Sequence, residues 1–270
     1  MGAHGRKFLL APGGYLGPDD DEVQAAELVF WAEWEPPSQI IARWPARGQL
    51  PRALHRPYWT SPVGGGLRQN TDPWVWGQRM LYSNCKQTHG PAHRPTAMQG
   101  LTRGSVICFG STIGSDFCVD TVLVIASARP WTAADEMIGG RLGRAFRACT
   151  AGAIASGDGS WARVGFTLFR GATFADPVEG MYSFVPAMPV RGDYPRFARP
   201  PIRRPGLINP ASRQAANGSR RPRPAPVVRA AWEAIRHQVL TAGLVLAVQI
   251  ATPHQRIGVP DLPADAVTQC

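Results

Sequence analysis

The sequence predicts an α+β fold dominated by strands: a β-rich mixed sheet or small barrel, with a few helices and a long irregular arm rich in arginine and proline. Three observations carry this. Apolar, β-branched and aromatic segments with two-residue alternation recur from residue 7 to residue 126, only two later segments have helical spacing, and residues 191–226 are crowded with Pro, Arg, Gly and Asn. At 270 residues and 44% hydrophobic content, the chain can fill a globular core.

Taken in order, "KFLLAPGG" reads as a short buried strand stopped by a Pro-Gly-Gly turn. In "AELVFWAEWEPP" Leu28, Phe30 and Ala32 alternate with Val29, Trp31 and Glu33, a second strand ended by Pro36 and Pro37. Residues 43 to 66 ("RWPARGQLPRALHRPYWTSPVGGG") predict irregular loops, and "WVWGQRMLYS" a strand or helix leading into a loop with Cys85, His89 and His93. The strongest signal is a β-hairpin, "SVICF" and "FCVDTVLVIA" joined by "GSTIGSD". Strict alternation puts Phe117, Val119, Thr121, Leu123 and Ile125 on one face and Cys118, Asp120, Val122 and Val124 on the other. Both faces are apolar enough to be covered, so Asp120 needs a partner.

Farther on, "TAADEMIGGRLGRAFRAC" predicts a helix with Thr132 as N-cap, weakened by Gly139, Gly140 and Gly143. "SGDGS" is a turn and "ARVGFTLFRGAT" a strand. Residues 191–226 lack the apolar content for a core and read as an extended arm. Val228, Trp232, Ile235 and Val239 follow helical spacing, and "GLVLAVQIA" is a strand returning to the main sheet. The expected organisation is therefore a main domain over 1–190, a basic arm over 191–226, a helix-strand unit over 227–252 and a tail over 253–270.

Charge narrows the class of partner. The net charge is +10, and all but two of the basic residues are arginine. Residues 191 to 236 hold eleven arginines against Asp193 and Glu233, whereas residues 1 to 40 hold seven acidic residues against Arg6 and Lys7. Such asymmetry points to a polyanion, DNA or RNA, or to an acidic protein surface. An Ala-, Gly-, Pro- and Arg-rich composition is also what a GC-rich genome of bacterial type produces. The apolar run from Leu240 to Ala251 is shorter than the roughly 20 residues of a spanning helix, which predicts no membrane partner. The N-terminal apolar run is too short for a signal-peptide core, and five unpatterned cysteines fit reduced thiols, so a cytoplasmic location is expected.

Three constellations offer chemistry. Cys85, His89 and His93 have the spacing C-x3-H-x3-H, which suits zinc with a fourth ligand from elsewhere, or a Cys-His nucleophilic pair. With Asp120 they are the catalytic candidates, for a thiol- or zinc-dependent hydrolase or transferase. Trp74, Trp76 and Tyr82, near Asn70, Gln78, Asn84 and Gln87, are candidates to sandwich a base, against the alternative that they fill a β-rich core. Arg203, Arg204, Arg220, Arg221 and Arg223 are the candidates to contact phosphates. G-x-S-x-G, Walker A, G-x-G-x-x-G and H-E-x-x-H patterns do not occur.

Set in order, "KFLLA", an aromatic strand, an irregular stretch, then "MQGLTRGSVICFGS" followed by "DFCVDTVLVIA" resemble the strand order of PUA-like domains of the EVE and ASCH type, over residues 6 to 127. The chain has Gly104-Ser105 where those families commonly have Gly-Asp. The resemblance implies a small barrel and binding of RNA or DNA, often with a modified base held between barrel strands. A nucleic-acid-associated protein is the leading expectation. A thiol or zinc enzyme and a scaffold for an acidic protein partner are the alternatives.

Overall fold

The computed structural model describes residues 5–60, 70–156, 160–203 and 223–256. Strands β1 (Arg6–Leu16), β2 (Gln24–Glu33), β3 (Ser38–Arg43), β4 (Ala53–Pro57), β11 (Val185–Pro189) and β12 (Val245–Ile250) form a six-stranded sheet in the order β12-β11-β2-β1-β4-β3. Because β12 also pairs with β1, strands β1, β2, β11 and β12 close into a four-stranded ring. A second sheet has the order β5-β10-β9-β8, built from β5 (Leu81–Tyr82), β8 (Val106–Ile113), β9 (Asp116–Trp131) and β10 (Phe166–Gly171). A two-stranded ribbon of β6 (Thr88–His89) and β7 (Arg94–Pro95) decorates the loop between them. The β-rich mixed architecture thus agrees with the expectation.

Two-residue alternation sorts the strands between two cores. Leu9 of β1, Leu28 and Phe30 of β2 and Ala247 of β12 enter one cluster. Phe8, Leu10, Val29 and Leu246 enter the other. At roughly 1.5 to 3 kcal/mol per fully buried large apolar side chain, these two clusters are the main source of stability.

The Pro-Gly-Gly of β1 is not a turn. The strand runs through it to Leu16, and Pro12, which has no N–H to contribute, accepts at its carbonyl from Ala251 N (2.8 Å). A Cβ on Gly13 would stand 2.5 Å from the Gln249 carbonyl oxygen, so glycine there permits the approach of β12 that closes the ring. Residues 43 to 57 are also more regular than expected, since β3 and β4 pair as an antiparallel hairpin, and residues 61 to 66 lie outside the described residues. "WVWGQRMLYS" is a tight loop in which Trp74 and Leu81 exchange both backbone hydrogen bonds (2.8 Å each).

The β8–β9 hairpin forms with a shorter turn than expected, Gly114 and Ser115, with Gly114 at φ 62°. Its alternation breaks once. Phe109 pairs with Thr121 and Gly110 with Val119, leaving Asp120 as the extra residue of a β-bulge. Phe117 and Val119 therefore share a core with Val122 and Val124, and not with Leu123 and Ile125. The Cys118 carbonyl crowds Gly110 so closely that no Cβ fits.

Thr132 caps α1 (Ala133–Gly139) as expected, its hydroxyl accepting from Asp135 N (3.1 Å). The helix ends at Gly140, and the run resumes as α2 (Arg144–Phe146), a π-helical turn (Arg147–Ala151) and α3 (Gly152–Ala155). Helix α4 (Ala225–Thr241) buries Trp232, Ile235 and Val239 and leads into β12. The arm starting at residue 191 needs correction. Phe197 and Ile202 are buried, and residues 200–202 lie against β9 through Val119 N to Pro200 O (3.0 Å) and Ile202 N to Phe117 O (2.8 Å). Residues 204–222 lie outside the described residues. Among the described residues no helix is long and apolar enough to cross a membrane.

Candidate functional site

The bulge delivers Asp120 to a buried charge network. Arg6, at the start of β1, lies opposite Glu33, at the end of β2, in the antiparallel register. Its guanidinium donates from Nη1 to Glu33 Oε2 and from Nε to Asp120 Oδ2, both at 2.7 Å. Arg199 comes within 3.7 Å of the same Asp120 oxygen and donates from Nη1 to Ser111 Oγ (2.6 Å). Two guanidiniums and two carboxylates are thus almost withdrawn from water, and the Asp120 side chain is only 1% exposed. Burial disfavours the Arg6 cation, but the charges of Asp120 and Glu33 more than offset it and hold its pKa above the ordinary value. For Arg199, burial outweighs the attraction of Asp120, and its pKa is lowered.

The same network anchors the segment from residue 70 to residue 93. Asp72 N donates to Glu33 Oε1 (3.2 Å). The Asp72 carboxyl then gathers the chain after β5: Ser83 N (2.9 Å) and Ser83 Oγ (3.2 Å) donate to one oxygen, and Asn84 N (2.9 Å) and Cys85 N (2.7 Å) to the other. Burial pushes its pKa up against the pull of these four bonds. Thr71 is tied to the π-helical turn through Thr71 N to Cys149 O (3.0 Å) and Thr150 Oγ1 to Thr71 O (2.8 Å). The amides, hydroxyl and carboxylate that made this stretch look like a ligand site mostly satisfy one another.

The catalytic candidates separate. Cys85 is pushed well above the usual thiol range by burial and by the nearby charges of Asp72 and Glu33, so at neutral pH it is a protonated thiol and a poor nucleophile. His89 is exposed, with Nδ1 3.2 Å from Arg94 O, and His93 packs edge-on against Trp161 with ring centroids 4.1 Å apart. Among the described residues no three His, Cys, Asp or Glu side chains converge as metal ligands, so the structure does not bring Cys85, His89 and His93 together as a zinc site. Asp120 is committed to Arg6 and Arg199.

The aromatic candidates are core residues. Trp74 packs on Trp34 and Phe146, and Trp76 on Phe30 and Trp34. Tyr82 stacks on Phe169 (5.6 Å, 12°) and meets Phe109 edge-on. All three are buried and leave no open face for a base.

Of the phosphate candidates, Arg203 and Arg223 are exposed, and Arg204, Arg220 and Arg221 lie outside the described residues. Arg203 is docked on α4, where Gln238 accepts from its backbone N (2.8 Å). The β3–β4 hairpin presents Arg43, Arg47 and Arg52 as further exposed cations. Arg196 lies over Trp44 of that hairpin, its guanidinium carbon 5.0 Å from the ring centroid. Beside them a cleft of about 290 Å³ is lined by Gln49 of the hairpin tip, Asp116 and Cys118 of β9, Arg199, and Leu244 just past α4. Sequence reasoning misses the roles of Arg6, Glu33 and Arg199. The available signal was the mirrored placement of one cation at the start of the first strand and one anion at the end of the second.

Comparison with protein-family models, with curated proteins and with solved structures gives no match.

Proposed function

We propose that the protein is nucleic-acid-associated, binding DNA or RNA through an arginine surface built from the β3–β4 hairpin, residues 196–203 and α4, and continuing into the arginine-rich stretch up to Arg223. The observation that carries this reading is the concentration of cations on connected elements. Eleven of the arginines fall within residues 191 to 236. Arg196 meets the hairpin at Trp44, Arg203 is docked on α4, and Arg229 stands exposed on that helix. Phosphate neutralisation with counterion release supplies most of the non-specific affinity for nucleic acid, and arginine provides it with a planar fork. The closed ring of β1, β2, β11 and β12 is a small barrel, but β11 and β12 fall outside residues 6 to 127 and β8 and β9 belong to the other sheet, so the reading rests on the arginines and not on the PUA-like strand order.

The test is fluorescence anisotropy with labelled single-stranded and duplex DNA and RNA at two salt concentrations. Wild type is compared with a variant in which Arg203, Arg204, Arg220, Arg221 and Arg223 are all Ala. Binding that weakens steeply with salt is expected. If all five contact phosphates, the slope of log K against log salt drops by about 4 in the variant. Absence of binding at low salt overturns the reading.

A further inference from the structure

The cleft beside Arg199 has the size and the mixed polarity of a base-reading site. Its volume of about 290 Å³ is just under the range of about 300 to 1,000 Å³ typical of ligand pockets, so it suits one base and not a dinucleotide. It lies outside the four-stranded ring, between the β8–β9 turn, the hairpin tip, residues 197–201 and the end of α4. Ile113, Pro200, Pro201 and Leu244 supply apolar walls, and Gln49, Asp116 and Arg199 supply the polar edge.

Arg199 is held as a fork. Ser111 accepts from Nη1 and Asp120 lies behind it, while the guanidinium carbon sits 5.7 Å from the Trp31 ring centroid. Its Nε and Nη2 make no hydrogen bond among the described residues, which leaves two donor nitrogens on a fixed plane. Asp116 has no ion pair among the described residues, and it lines the cleft together with Cys118 and Arg199. A bare phosphate is a poor match, because Asp116 offsets the one cation among the lining residues. A neutral planar ring with acceptors on one edge and donors on the next is matched. Arginine pairing bidentately with O6 and N7 is the commonest specific contact to guanine, and the neighbouring N1–H and N2–H groups then need an acceptor. Adenine would set its N6 amino donors against the Arg199 donors.

We propose that this cleft holds a single unstacked guanine, with Arg199 donating to O6 and N7 and Asp116 accepting from N1–H and N2–H. The proposal rests on the nucleic-acid reading and specifies the base that reading left open. Free nucleosides separate the two, because they carry no phosphate for the arginine surface. Equilibrium dialysis of the full chain with radiolabelled guanosine and adenosine is expected to show one saturable guanosine site, at least tenfold tighter than adenosine. Asp116→Asn, at the half-buried first position of β9 and outside the charge network, is expected to weaken guanosine about tenfold or more. Arg199→Lys is expected to do the same, with its fold checked by circular dichroism. Absence of saturable guanosine binding, equal binding of adenosine, or an unchanged Asp116→Asn variant overturns the proposal. If that happens while oligonucleotides still bind with a steep salt dependence, the nucleic-acid reading survives alone. Saturable guanosine binding without oligonucleotide binding leaves the cleft assignment standing and removes the nucleic-acid reading.

Discussion

Replacing Asp120 with Ala is the sharpest test of the charge network. The substitution removes one of two anions facing Arg6 and the only carboxylate within ion-pair distance of Arg199 among the described residues, while both guanidiniums stay about 15% exposed. Removing one partner of a buried ion pair costs about 3 to 5 kcal/mol, because the remaining charge has neither water nor counterion. Arg6 retains Glu33 at 2.7 Å and Arg199 retains Ser111 at 2.6 Å, which places the expected loss at the lower end, about 3 kcal/mol. For a chain of this size that lowers the melting temperature by about 6 to 12 °C. Thr121→Val is the control on the same strand. Thr121 is buried and its hydroxyl has no hydrogen-bond partner among the described residues, so the isosteric apolar side chain is expected to be neutral or to stabilise by about 1 kcal/mol. Thermal and urea unfolding followed by circular dichroism measure both. A loss under about 1 kcal/mol for Asp120→Ala, or equal losses for the two variants, would refute the claim that the bulge exists to place a paired carboxylate.

Other predictions follow from burial and charge. The His55 pKa is lowered to about 4 by burial and by the cations Lys7 and Arg43, so between pH 6.5 and 4 the unfolded chain binds the extra proton and stability falls as pH falls. With the ring partly solvated, the loss is about 1 to 2 kcal/mol, and a His55→Gln variant should show a flatter unfolding midpoint across that pH window. Because burial holds the Cys85 thiol protonated, native protein at pH 7.5 should label at Cys85 far more slowly with iodoacetamide than protein in denaturant. Mass spectrometry of the peptide reads the ratio, and equal rates would restore the thiol-enzyme reading. Trp74→Ala should cost about 3 to 5 kcal/mol while leaving oligonucleotide affinity per folded molecule unchanged, since the ring is 4% exposed; a selective loss of affinity would make it a binding residue again.

The parts of the fold that local chemistry determines were legible in the sequence, and the parts that depend on distant backbone were not. The alternation in "AELVFWAEW" and the Thr132 cap act within a few residues, and both appear as expected. Pro12-Gly13-Gly14 has the composition of a turn, but its use is decided by β12, more than 230 residues away, whose carbonyl occupies the space a side chain would need. The position of Asp120 shows the same limitation at the site. Strict alternation correctly required a partner for a buried carboxylate, but one extra residue opposite Gly110 sets the parity of the strand. That residue directs Asp120 to Arg6, 114 positions earlier in the chain, and to Arg199. Composition misled in both directions for the same reason. The tryptophans and amides of residues 70 to 93 resemble a ligand site because a buried loop must satisfy its own polar groups, whereas "RFARPP" resembles an unstructured arm although the Val119 N–H and the Phe117 carbonyl of β9 hold it and the following Ile202 in place. The segment around Arg199, which by composition had no structure, is thereby fixed as one wall of the cleft beside β9.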